Sequence, residues 1–388
     1  MMKAWKFVAG LGTMALAIHP ATAQETLKVG LTGALTGPVA GTYAPAVEGL
    51  RLYIDSVNEA GGIGGKTIEL LIQDDGAEPS RAAANAKRFL TQDGVVLMIN
   101  SSLSSTYAPV MAESKRAGVP LMFAASACPK EVFPPAEPNL FCTTAFGTGY
   151  DSRAALDFIK DKAGTDVKIG FQAMAIPVSR GEIDFAEGLA SEMGMAPVSK
   201  EITPPPAPDY TPFATNINNS GAEWVWSWAP WSAQIKTFEA LRRLGWEGQY
   251  LTWAHLEAES ELARVKDPEF YALGSNALFF EDLPVMQEIA SAAAAAGSSY
   301  PAAQMTEGWI AGMVIETTLK SAEDPASAES VLASMSSLKV DTKGLRGGAL
   351  EWTADNHFRT QQSYRVYRWS TDSGAIETVS DWKTYDVK

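Results

Sequence analysis

Between Leu27 and Asp75 the chain reads LKVGLTGALTGPVAGTYAPAVEGLRLYIDSVNEAGGIGGKTIELLIQDD, and few folds accommodate such a stretch. A short β-branched run, Leu27 to Thr32, meets a Gly-rich turn, Gly33 to Gly41. A helix is expected from about Ala44 to Asn58. A glycine cluster stops it, and a second strand, Thr67 to Gln73, ends in two acids. In such a strand–turn–helix–strand unit the first turn lies at the carboxyl end of a strand. Open α/β sheets bind ligands at that edge.

The alternation continues. Val95 to Asn100 reads as a strand, then come a Ser-rich turn, Ser101 to Ser105, and a helix to about Arg116. Pro120 to Ala124 is the next strand, and Val167 to Phe171 begins a second series. There Ile183 to Met193 and Ala233 to Leu244 read as helices, and Trp224 to Trp228 and Tyr250 to Trp253 as strands. Repeated βα units with short connections imply an α/β fold with parallel sheets covered by helices. The Ala292 to Ala296 run and the PPPAP run at Pro204 to Pro208 read as local surface features, too short for linkers.

Residues 1–23 have the form of an export signal: Lys3 and Lys6, an apolar run from Phe7 to Ile18, and the small residues Ala21-Thr22-Ala23. The apolar run is shorter than the ~20 residues that span a bilayer. Cleavage would leave 365 of 388 residues, a size that calls for two lobes. It would also move the net charge from −14 to −16 by removing two lysines. Such a balance argues against nucleic acid or anionic membrane as partners. In an oxidising compartment Cys128 and Cys142 are expected to bridge, the alternative being two buried thiols.

Catalytic signatures are missing from the sequence. AGGIGGKT, Ala60 to Thr67, approaches a phosphate-binding loop but follows a helix and opens a strand, the reverse of what phosphate binding needs. Beyond the leader the only histidines are His255 and His357, and no spacing suits zinc. No G-x-S-x-G elbow occurs. Neither an enzyme nor a cofactor protein is expected. NSSLSSTYAP, Asn100 to Pro109, places hydroxyls and backbone N–H groups where a helix begins. Ser104 or Ser105 there serves as an N-cap, a carboxylate ligand, or both. Trp224, Trp226 and Trp228 alternate along one strand and read as core. Trp231, Trp253 and Tyr43 lie at carboxyl-end positions from which a ring could stack on a ligand.

Several of these segments resemble the periplasmic binding proteins for branched-chain amino acids and related solutes. Thr36-Gly37-Pro38, the run Val57 to Gly64, and Asp74-Asp75 match the family's opening pattern. The likeness covers nearly the whole mature chain, weakening after about Pro284. It implies two Rossmann-like lobes joined by three crossings near Thr144, Phe280 and Arg359. Residues 24–144 plus 281–359 would form one lobe, and 145–280 plus 360–388 the other. It also implies a small-molecule ligand, closure around it, and the permease subunits of an ABC importer as partners of a monomer in the periplasm. Asp355-Asn356-His357 reads as a structural turn at the last crossing.

By the same likeness Ser104 holds a ligand carboxylate and Ala125 gives a backbone contact. Ala127 stands where amino-acid binders carry Thr. Those relatives also place a Glu just after the strand ending at Trp253, to pair with the ligand ammonium. This chain reads Thr252-Trp253-Ala254-His255, with Glu257 the nearest acid. Arg180 matches a residue that reaches into the cleft and could pair with a carboxylate. The expected ligand-binding set is Thr42, Tyr43, Ser104, Ser105, Ala125, Ala127, Arg180, Trp231, Trp253 and His255. Without an ammonium partner, an aromatic carboxylate is favoured. The alternatives are an amino acid or amide, and a ligand-sensing subunit of a membrane receptor.

Overall fold

The computed structural model describes residues 1–2, 26–204, 207–254 and 257–388, so the expected leader falls almost wholly outside it. The first sheet holds β1 (Thr26–Gly33), β2 (Thr67–Asp74), β3 (Leu97–Ser101), β4 (Leu121–Phe123) and β5 (Leu140–Cys142). All run parallel in the order β2-β1-β3-β4-β5. Its connecting helices are α1 (Ala40–Glu59), α2 (Pro79–Arg88) and α3 (Tyr107–Ala117). The chain then crosses to a second sheet. That series runs α4 (Tyr150–Ala163), β6 (Lys168–Met174), α5 (Pro177–Glu192), β7 (Ala196–Thr203), α6 (Thr211–Asn219) and β8 (Trp224–Trp228). It continues with α7 (Trp231–Arg243), β9 (Gln249–Trp253), α8 (Ala258–Val265) and β10 (Phe270–Gly274).

A second crossing returns the chain to the first lobe. There α9 (Pro284–Ala295), α10 (Thr306–Ser321), α11 (Ala328–Met335) and the short pair β11 (Lys339–Val340) and β12 (Leu350–Glu351) complete its core. The helices α1 and α10 pack backbone to backbone. A Cβ on Gly308 would sit 1.7 Å from the Ala46 carbonyl oxygen, so only glycine fits. After a third crossing, β13 (Gln361–Ser370) joins the second sheet antiparallel to β10, and β14 (Ala375–Thr378) and β15 (Lys383–Asp386) pair with it. The sequence reading anticipated parallel sheets and did not foresee this hairpin edge. No helix follows β13, so its partners must come from tight turns, which pair strands antiparallel. The architecture is two Rossmann-like lobes joined by three crossings.

The crossings are tied to one another by buried polar groups. Arg346 bonds the carbonyl of Thr143, with Asn276 Oδ1 at 3.0 Å and Glu307 Oε1 at 2.8 Å. Arg359 bonds the carbonyl of Thr144 and, at 2.6 Å, Gln362 Oε1. Gln362 donates to the Ala145 carbonyl and to Ser275 Oγ, both at 2.6 Å. One residue or more from each crossing is thus held in a single network. Near the third crossing His357 is buried, with Nδ1 2.9 Å from the Leu140 carbonyl and its ring stacked 4.1 Å from Phe141. Burial holds its pKa below the ordinary value, which suits the structural role read from sequence.

Three local expectations change. The helix foreseen from Ala44 begins at Ala40, leaving Pro45 inside it. Burial of Val39 and Tyr43 against the second lobe outweighs the missing proline N–H. Trp231 opens α7 rather than sitting on a loop. The PPPAP run is not purely surface, because Ala207 is buried between the lobes beside Tyr210.

Candidate functional site

The carboxyl ends of both sheets face a seam between the lobes. From the first lobe come Ala34, Val39, Tyr43 and Leu103; from the second, Met174, Ile176, Ala229 and Ala233 pack against them. Within the seam Tyr43, Ala127, Phe146, Ile176 and Trp228 surround a cavity of about 30 Å³. That is roughly the share of one water in the liquid, so the lobes must part before a ligand enters. Phe146 makes edge contact with Trp228 at 5.7 Å and tilts on Trp253 at 5.1 Å. Its ring also lines a second cavity of about 30 Å³, bounded by Ala125, Trp253 and Glu307.

Polar groups frame these rings. Trp228 donates its indole N–H to Asp151 Oδ2 at 2.8 Å, and Tyr364 donates to Asp151 Oδ1 at 2.6 Å. Burial, with Glu182 beside it, pushes Asp151 up to about 8 despite these bonds. Behind Tyr43, Asp75 accepts from Thr32 Oγ1 at 2.8 Å and Ser102 Oγ at 2.7 Å, and burial still raises it. Burial first, then Tyr107, Asp75 and Glu257, holds the Tyr43 phenol well above its ordinary pKa. It therefore faces the cleft as a neutral hydroxyl.

The residues foreseen from sequence divide into several groups. Tyr43, Ala127, Ala125 and Trp253 line the two seam cavities. Ala125 adopts φ +55°, a conformation that side chains rarely take and that often marks a functional site. Thr42 is buried and donates across the seam to Glu257 Oε1 at 3.1 Å. Glu257, the nearest acid named from the sequence, thus reaches the cleft wall from the turn before α8. Ser104 lines an open groove of about 470 Å³ beside the seam, and Val178 N–H points at its Oγ from 3.5 Å. Ser105 is exposed. Arg180 is exposed in the first turn of α5, and none of the ion pairs among the described residues includes it. A place in the cleft is not where the closed seam puts Arg180. His255 and the Trp231 side chain lie outside the described residues. Cys128 and Cys142 are joined by a disulfide, with Cα atoms 5.7 Å apart.

Trp224, Trp226 and Trp228 are all buried under α4, as their alternation implies. Among the described residues no group of three or more His, Cys, Asp or Glu is placed to hold a metal, and no helix is long and apolar enough to cross a membrane.

A sequence profile described as "periplasmic binding protein" matches residues 26–375. The chain belongs to that family. Among curated members, the leucine-, isoleucine-, valine-, threonine- and alanine-binding protein of Pseudomonas aeruginosa is 29% identical over 171 residues. That match covers 44% of this chain and 43% of the relative, so the chain spans less than half of that relative's length. A branched chain amino acid ABC transporter protein of Thermus thermophilus, solved with valine, superposes with TM-score 0.81 at 16% identity, over 93% of this chain and 97% of that one. A solute binding protein of R. palustris, solved with benzoate, gives TM-score 0.78 at 17% identity, over 92% and 96%.

For this periplasmic binding protein the sequence reading missed Phe146, Asn276, Glu259 and Glu307. Phe146 and Asn276 lie at the crossings, Glu307 beyond the second, and Glu259 in the first turn of α8, places where no hydrophobic period or motif marks a residue as cleft-facing. Trp228 was read as core only. Its indole N–H is held in the core while its ring lines the cavity.

Proposed function

We propose that this protein captures a small aromatic carboxylate between its lobes outside the cytoplasm and delivers it to the membrane subunits of an ABC importer. The lining of the seam carries this reading. Tyr43, Phe146 and Trp228 surround a space in which a planar ring would stack or meet ring edges. Ala127 adds a methyl group where amino-acid binders of similar sequence carry a hydroxyl. A carboxylate has donors in the Ser104 hydroxyl and the backbone N–H groups opening α5. Solved relatives of the same fold hold valine in one case and benzoate in another, so the frame leaves the choice to the lining.

A second reading rests on one observation. Glu257 faces Thr42 across the seam and could accept an amine, which favours an amino acid or amide. Calorimetric titration of the purified protein with benzoate, hydroxycinnamate, leucine and valine separates the two. The proposal expects saturable binding of an aromatic acid and none of leucine or valine. Tight binding of leucine or valine with no response to aromatic acids contradicts it.

A further inference from the structure

We propose a second small-molecule site, inside the second lobe and apart from the cleft, that takes a small apolar amine in its cationic form. It sits where β13 changes partners. That strand pairs with β15 through Gln361–Tyr364 and with β14 through Tyr367–Ser370. Between these stretches the Val366 carbonyl accepts the Val379 N–H at 2.7 Å, and the Val366 N–H donates to Ser380 Oγ at 3.2 Å, as the chain leaves β14 for β15. A cavity of about 160 Å³ opens there, between this link and α4.

Ala154 and Phe158 of α4, Leu273 of β10, and Tyr364 and Val366 of β13 form buried walls. The Tyr364 hydroxyl offers a guest nothing, since it donates to Asp151 at 2.6 Å. An apolar cavity of roughly 150 Å³ is enough to hold a benzene-sized guest. The mouth is charged, with Asp161, Asp381 and Lys383 around it, all exposed. Lys383 Nζ is already engaged by Asp157 at 3.2 Å and Asp161 at 3.7 Å. Asp381 has no ion-pair or hydrogen-bond partner among the described residues, so the charge left unanswered at the mouth is negative. Lys162 lies over the Phe158 ring, 5.8 Å from its centroid, and does not line the cavity. A cation beside Asp381 with its hydrocarbon part on the walls suits both surfaces. A carboxylate in that place would meet Asp161 and Asp381 instead.

Ligand-observed NMR titration of the full mature chain with benzylamine and benzyl alcohol, which share a shape and differ in charge, tests this. Benzylamine should bind with Kd of about 0.1–1 mM, the range open to so small a guest. It should bind roughly 2- to 5-fold tighter than the alcohol, the yield of an exposed charge pair. In Asp381→Asn that preference should vanish while the alcohol binds as before. Ala154→Leu fills the cavity and should weaken both compounds by about 10-fold or more. Should that variant not fold, the exposed Asp381→Asn change decides. The cleft could also take an amine through Glu257, and the two variants tell the sites apart. Amine binding that survives both substitutions lies elsewhere and overturns the inference, as does the absence of benzylamine binding at millimolar concentration. Equal binding of amine and alcohol overturns the choice of a cation.

Discussion

The hinge and the seam lie side by side between the lobes and are built from opposite materials. At the hinge, Arg346, Arg359, Gln362 and Glu307 knit the three crossings together through buried charged and polar bonds. At the seam, apolar side chains from the two lobes meet, with the Thr42–Glu257 bond and the long Val178–Ser104 contact among the few polar ties. Buried polar groups must keep their partners, since a lost bond leaves a desolvated group behind. Apolar contact can separate and re-form gradually, and a ligand's ring can replace the opposing lobe. The difference suits a joint that stays fixed while the faces beyond it open and close.

The largest test of that contrast is Arg346→Ala. It leaves Glu307 as a buried carboxylate beside Arg359 with its ion-pair partner gone, and breaking a buried pair costs about 3–5 kcal/mol. Chemical denaturation should show a loss of that size. A loss below about 1 kcal/mol would mean that the hinge network does not hold the lobes.

A smaller effect concerns pH. Asp151 is raised to about 8 in the fold, above the ~4 of an unfolded aspartate. The folded state therefore binds a proton more tightly, so this group's contribution is fully present below about pH 4 and is lost as pH rises to 8. In Asp151→Asn, thermal melts across that window should lose part of the decline seen in the wild type. An unchanged pH profile would remove Asp151 as its source. The smallest effect belongs to the seam. Thr42→Val removes one hydroxyl from a partly exposed bond, so the melting temperature should stay within about 2 °C while ligand affinity shifts by less than about 1.5 kcal/mol. A large fall in melting temperature would show that the seam carries structural load.

Much of the fold was legible because βα alternation leaves a period-specific trace, as in the fully buried β3 and the tryptophans of β8. The extension of α1 to Ala40 was not, because it depends on a partner lobe distant in sequence. Nor were β13 to β15, whose pairing follows from where the third crossing delivers the chain. At the site, residues soon after a strand end, such as Tyr43 in the first turn of α1 and Ala127 after β4, could be found from the strands that precede them. Phe146 and Glu307 could not, since their roles exist only where three distant segments converge. Arg180 shows the converse: a charged residue at a suggestive position that the fold leaves facing solvent.

Small-angle X-ray scattering of the mature protein, with and without an aromatic acid at a saturating concentration, addresses the central claim most directly. With the lobes packed as described, the seam cavity has room for about one water, so entry requires opening. The account predicts a radius of gyration that is larger without ligand and contracts when the acid binds. Identical scattering curves in the two conditions would contradict capture by closure between the lobes.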